Sequence, residues 1–234
     1  MALEIVYEDS EIAVCVKPAG VSSEHAGAAS GVPDLLQAHF REKPEPDSVL
    51  DSVSDSVFTV HRLDRDVSGL MVYARTKNAA ASLSEQIRLG TFRKEYAALV
   101  CGKTSRGLPE EGELRDLLFR DSAKNKVYPV KRMRKGVREA VLRYKTDPRE
   151  LRAADGTDVT LTHVILVTGR THQIRVQFAS RRFPLLGDAK YGSKTRSGTG
   201  GIALMAVRLG FDHPVTGKRM EFEREFPVEE FLKG

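Results

Sequence analysis

Short apolar runs rich in β-branched residues recur along the chain between polar turns, with only a few stretches of helical period. Residues 5–7 and 12–16 flank an acidic turn, and Pro18-Ala19-Gly20 ends the second run, so the chain should open with a hairpin. Asp34 can cap a short helix reaching Phe40, and 43–56, rich in Pro, Ser and Asp, reads as a flexible loop. Strands over 57–60 and 70–74 bracket a charged segment. Thr76 then caps a helix to Leu89, in which Ala79, Leu83 and Ile87 repeat every four residues and Gly90 supplies a left-handed stop. A buried strand follows at 92–101, whereas 113–132 is polar and broken and suggests an irregular hairpin or loop. Strands over 137–145 and 159–167 lead into Thr168-Gly169-Arg170 and a helix from about Thr171. In that helix Ile174 and Phe178 share one stripe, and His172, Arg175 and Ala179 a neighbouring one, so the basic pair can point away from the packed face. Strands at 202–209 and 220–226, joined by a turn at 213–217, complete the pattern. The expected class is α+β.

At 234 residues the chain is expected to be a single domain, 1–234. The excess of 37 Lys and Arg over 32 Asp and Glu favours a polyanionic partner. Cys15 and Cys101, both in apolar runs, read as small buried hydrophobes rather than a disulfide. With no membrane-length apolar stretch and no signal-like start, the default location is the cytoplasm. The six histidines show no metal-binding pairing, which argues against a metal hydrolase. The Gly-rich stretch 197–201 lacks the Lys and Ser or Thr of a phosphate-binding loop, which disfavours a nucleotide hydrolase.

The densest charge pattern is Arg62-Leu63-Asp64-Arg65-Asp66, followed by Ser68-Gly69, on a connection between two strands. Spacing alone leaves a solvated salt-bridge cluster as plausible as a functional site. The longer segment His61-Arg62-Leu63-Asp64 with Ser68-Gly69-Leu70 resembles the signature of the RluA-type RNA pseudouridine synthases. The resemblance continues in order through Lys17-Pro18-Ala19-Gly20-Val21, Arg93-Lys94-Glu95-Tyr96, Thr168 to Val176, Gly187-Asp188-Ala189-Lys190-Tyr191-Gly192 and His213-Pro214. Ordered blocks at compatible separations are far more specific than any one of them.

The resemblance implies a pseudouridine synthase fold, with a central, mostly antiparallel mixed sheet flanked by helices and a basic active-site cleft. It implies an isomerase that turns uridine in ribosomal or transfer RNA into its C-glycoside, with Asp64 as the catalytic carboxylate. Such a group could add to C1′ or to the uracil ring, or abstract a sugar proton. Arg175 matches the arginine expected to pair with that carboxylate, and Tyr96 the tyrosine expected to stack on the uracil. The target nucleotide should be flipped out, with Arg62 as candidate wedge and His61, Arg65, Lys94, Arg170 and His172 as candidate phosphate contacts. Val67, Ala26 and Gln177 depart from the family's usual Thr, Pro and His and put RNA-facing details in doubt. No cofactor or metal is expected, nor a separate N-terminal RNA-binding domain, and a monomer is. The rival is a catalytically inactive RNA-binding or RNA-remodelling protein on the same fold, which an Asp64→Asn substitution separates from an enzyme.

Overall fold

The structure, a computed structural model, describes residues 3–27, 30–42 and 56–233. The expected loop at 43–56 lies, apart from Ser56, outside the described residues. In chain order the elements are β1 (Glu4–Glu8), β2 (Ile12–Lys17), α1 (Val32–Glu42), β3 (Phe58–Thr59), β4 (Ser68–Ala74), α2 (Lys77–Leu89), β5 (Arg93–Cys101), β6 (Glu111–Asp121), β7 (Lys126–Val130), β8 (Val137–Thr146), β9 (Leu151–Arg152), β10 (Asp158–Leu166), α3 (Gln173–Ala179), β11 (Leu204–Asp212), β12 (Arg219–Glu223) and α4 (Val228–Leu232). This is a mixed α+β architecture dominated by antiparallel pairing. The chain forms two compact units, 1–93 with 206–224 and 94–205 with 225–234.

In the first unit the strand order is β1-β2-β4-β11, with β3 added to β4 and β12 to β11. Ile12, Val14, Leu70, Val72, Leu209 and Phe211 pack there against Ala79 and Leu83 of α2. That helix forms because Thr76 Oγ1 accepts the Ala79 N–H at 3.1 Å, and it stops at Gly90, whose φ of 75° a glycine adopts without Cβ strain. The first helix begins at Val32, two residues before the expected cap. Asp34 instead sits inside the first turn and reaches back, its Oδ2 accepting the Gly31 N–H at 2.7 Å, which is the job of the third residue in a capping box. Gly69 has φ +126° and its missing Cβ would lie 2.4 Å from the Ala206 backbone, so no other residue lets the start of β4 approach β11 this closely.

In the second unit the order is β5-β10-β8-β6-β7, with β9 added to β10. The stretch expected to be irregular is a regular antiparallel ribbon, β6 pairing β7 from Leu117↔Val130 to Asp121↔Lys126. Its polar look is that of an outer ribbon in which only Leu114, Leu118 and Val127 are buried, while Leu117, Phe119, Tyr128 and Val130 are partly exposed among charged residues. The helix α3 also differs from expectation, since residues 172–178 are all buried. His172 and Arg175 therefore face protein and not an open surface, and a two-turn helix enclosed on every side has no solvent stripe to present.

Candidate active site

The segment carrying Asp64 is a turn fixed from beneath. Lys17 is fully buried, and its Nζ donates to the carbonyls of Pro18 and Val21 at 2.8 Å and of Arg65 at 3.0 Å. The Gly20 N–H donates to the same Arg65 carbonyl, and Arg65 Nε donates back to the Gly20 carbonyl, both at 2.8 Å. On the other side of Asp64, the Ser23 hydroxyl donates to the Leu63 carbonyl and accepts its N–H. The Val67 N–H closes the turn on the Asp64 carbonyl at 3.0 Å. Residues 63 and 65 are thus both held by backbone bonds, while the Asp64 side chain is half-buried.

Burial pushes the Lys17 pKa down to about 8, against the opposing pull of the Asp66 and Asp64 carboxylates. An unfolded lysine keeps its proton to 10.5, so between these values the unfolded chain binds more protons and the unfolding free energy rises with pH. Relative to a Lys17→Met protein, the wild type should gain stability between about pH 8 and pH 10, by at most roughly 3 kcal/mol. Denaturant unfolding of both proteins across that range checks this; parallel pH profiles would show that Lys17 titrates as an exposed lysine does.

The second unit holds a cage around Arg175. Its Nε and one terminal nitrogen form a fork on the Asp188 carboxylate at 2.7 and 2.9 Å, with both side chains almost fully buried. The guanidinium carbon lies 5.2 Å from the centre of the Tyr191 ring. The Tyr191 hydroxyl is 2.8 Å from His172 Nδ1 and accepts the Val127 N–H at 2.9 Å. Gly187, with φ +81°, precedes Asp188, and a Cβ there would meet the Gly201 carbonyl at 2.2 Å. The Gly187 to Gly192 block is thereby explained by packing as well as by charge. Tyr96 is buried in β5, opposite Val164 of β10.

The remaining expected residues divide by environment. Arg62 is exposed and pairs with the exposed Glu24 at 3.0 Å, and Arg65 and Arg170 are exposed with Nε on backbone carbonyls. His61 is buried, its Nε2 accepting the Val72 N–H at 3.2 Å, and its ring packs on Phe92. His172 is buried in the Arg175 cage, and burial lowers the pKa of the half-buried Lys94. Gln177 is also interior, its amide N–H groups meeting the Leu114 and Ala140 carbonyls and the Asp116 carboxylate. Val67 is buried too. Both of these departures from the family pattern thus lie in the interior.

Sequence reasoning missed two things. Asp188 and Tyr191 lay within a recognised block, but nothing in spacing says that a residue at 188 meets one at 175. The other was countable. Residues 120–138 hold eight Lys and Arg and one Asp, a local +7 in a chain of net +5, so the rest of the chain is net negative. Lys124, Lys131, Arg132, Arg134, Lys135 and Arg138 of this stretch are all exposed.

The class of enzyme to which this α+β chain belongs is given by its similarity to known proteins. The family described as RNA pseudouridylate synthase matches residues 11–180, and the chain belongs to it; its members are isomerases. Its sequence is 35% identical to ribosomal large subunit pseudouridine synthase D of Vibrio parahaemolyticus, over 96% of this chain and 67% of that one. It is 36% identical to the uncharacterized RNA pseudouridine synthase YlyB of Bacillus subtilis, over 98% and 71%. In structure it resembles human RNA pseudouridylate synthase domain containing 1, with a TM-score of 0.73 at 21% identity over 96% of this chain and 84% of that one. Among the described residues no helix is long and apolar enough to cross a membrane.

Proposed function

We propose that this protein isomerises specific uridines of structured RNA, with Asp64 as its catalytic carboxylate and Tyr96 and Arg175 as the other catalytic residues. The observation that carries the reading is the clamp on residues 63 and 65, which spends a buried lysine and a buried serine on fixing the backbone around one half-buried carboxylate. In the reaction the N1–C1′ bond breaks, a C5–C1′ bond forms, and the proton lost from C5 is balanced by one gained at N1. No redox equivalent or external group enters, so neither cofactor nor metal is required. The carboxylate assists departure of the base while the ribosyl and uracil fragments are retained. Arg62 is the wedge: its exposed pair with Glu24 is weak enough to be exchanged for a vacated base stack or a phosphate. Arg65 and Arg170 are the phosphate contacts retained from the first set, and the cationic ribbon at 120–138 is added to them. The buried His61 and His172 serve to hold structure. The protein acts as a monomer in the cytoplasm.

The relatives named for the large ribosomal subunit support ribosomal RNA as the substrate. Mapping pseudouridines in total RNA from cells with and without the protein should reveal a small set of sites that vanish in its absence. Restoring the Asp64→Asn form should not bring them back. A map unchanged by removal of the protein would overturn the reading.

A further inference from the structure

The four residues Asp188 to Tyr191 touch two things at once. At one end, the Asp188 carboxylate forks Arg175. At the other, the segment is fastened to the turn and second strand of the cationic ribbon. Lys190 Nζ donates to the Asn125 carbonyl at 3.2 Å, and the Tyr191 hydroxyl accepts the Val127 N–H at 2.9 Å. The Lys126 ammonium lies 5.5 Å from the centre of the Tyr191 ring. β7 is the last strand in the order of its unit, so the outward N–H of Val127 has no neighbouring strand to pair with, and the tyrosine hydroxyl takes that place. The same ring lies under the Arg175 guanidinium and packs against the cluster of Leu118, Val127, Ala140 and Val176. One short turn therefore touches both the backbone of the ribbon and the arginine.

We propose that the segment 188–191 is a coupling element, with Tyr191 as a positioning residue: RNA that docks its phosphates on the 120–138 ribbon sets the Arg175 guanidinium through it. The inference rests on the reading of Arg175 as catalytic and of the ribbon as an RNA surface. Its physical basis is that β7, paired with a strand on one side only, meets the segment 188–191 on the other, so a load placed on the ribbon is passed to that segment. Phosphates that neutralise the cations of 120–138, of which Arg120, Lys124 and Lys126 lie on the ribbon and the others on the connection from β7 into β8, would fix the ribbon in one position, and the arginine would be fixed with it. His172, whose Nδ1 shares the tyrosine hydroxyl, ties the first residues of the α3 segment to the same point.

The test uses Tyr191→Phe, which keeps the ring over Arg175 and the packing but removes the hydroxyl. The substrates are an RNA fragment bearing a mapped uridine with its flanking stem, and the same fragment trimmed to the uridine and its nearest neighbours. On the stem-bearing RNA the variant should lose about tenfold in kcat, as expected for a small misplacement of a catalytic group, with RNA affinity within about twofold of wild type. On the trimmed RNA, which leaves the ribbon empty, both proteins should turn over at the same low rate. An equal loss on both RNAs, no loss on either, or a loss of affinity with kcat intact would each overturn the coupling. Should Tyr191→Phe fail to fold, Lys190→Met, an exposed substitution that frees the Asn125 carbonyl, should shift kcat in the same direction by about two- to threefold on the stem-bearing RNA alone, a modest fraction of a hydrogen bond. The underlying reading fails separately, and visibly, if Lys131→Glu with Arg132→Glu leaves both RNA affinity and its salt dependence unchanged.

Discussion

The Asp64→Asn protein is expected to fold, to bind RNA and to convert no uridine. The bonds of Lys17 to the carbonyls of residues 18, 21 and 65, of Ser23 to Leu63 and of the Val67 N–H to the Asp64 carbonyl all act on backbone and survive the substitution. Asparagine has nearly the same shape and keeps this clamp, so the loss of stability should stay within the roughly 0.5 to 3 kcal/mol of an ordinary single substitution and leave the protein folded. RNA affinity should likewise hold, because the proposed contacts are cations on the surface, not this carboxylate. Turnover should fall by a factor of about 10² to 10⁴ or more, since an amide neither adds to carbon nor accepts a proton at neutral pH. Single-turnover conversion of a mapped RNA fragment is the measurement, and retention of a tenth or more of wild-type turnover would remove Asp64 from the mechanism. The two routes open to the carboxylate separate on a substrate deuterated at the sugar carbon next to C1′. A slowed reaction there marks proton abstraction, and an unchanged one marks addition.

Much of the fold was legible because its signals are local. The Thr76 cap, the period of Ala79, Leu83 and Ile87, and the Gly90 stop depend only on residues within one helix, and α2 ends where they say. The strand after the Asp64 turn was equally plain, since a β-branched run bounded by turn residues needs no partner to be recognised, whereas the one expected over 57–60 is reduced to the two residues of β3. The ribbon of β6 and β7 was hidden because its alternation is blurred: Asp116 falls on the face of the buried Leu114 and Leu118, and Leu117 and Phe119 fall on the face of Glu113 and Arg115. The orientation of α3 was misjudged for a different reason. A helical wheel assigns a polar stripe to water, but here Arg175 and His172 have buried partners supplied by residues 188 and 191, thirteen and nineteen positions further on. Such pairing is a property of tertiary structure. Of the candidate site, the residue identities were readable from ordered motifs, whereas the division between surface cations and buried, structurally committed ones required coordinates. His61 and Arg62 are adjacent in sequence and fall on opposite sides of that division.

That division sets the second large effect, the loss of stability expected when Asp188 is replaced by Ala. Both members of the Arg175–Asp188 pair are almost completely removed from water, and the fork contributes two charge-assisted hydrogen bonds in the geometry that a guanidinium favours. Removing Asp188 takes both bonds of this fork from a guanidinium that stays buried, which costs up to about 3 to 5 kcal/mol. A denaturant midpoint displaced accordingly, with an unchanged slope, is the expected result, while a loss below about 1 kcal/mol would mean that water or another group reaches the arginine at little cost. The asymmetry of buried pairs gives a sharper form of the same prediction. Replacing both members together by apolar residues, Arg175→Met with Asp188→Leu, should recover most of the stability that Asp188→Ala loses, because neither charge of the pair is then left buried. It should recover none of the turnover, since the guanidinium that the fork orients is gone. Stability restored with activity still absent would identify the pair as one kept for what the arginine does, at a cost in stability that an apolar core would avoid.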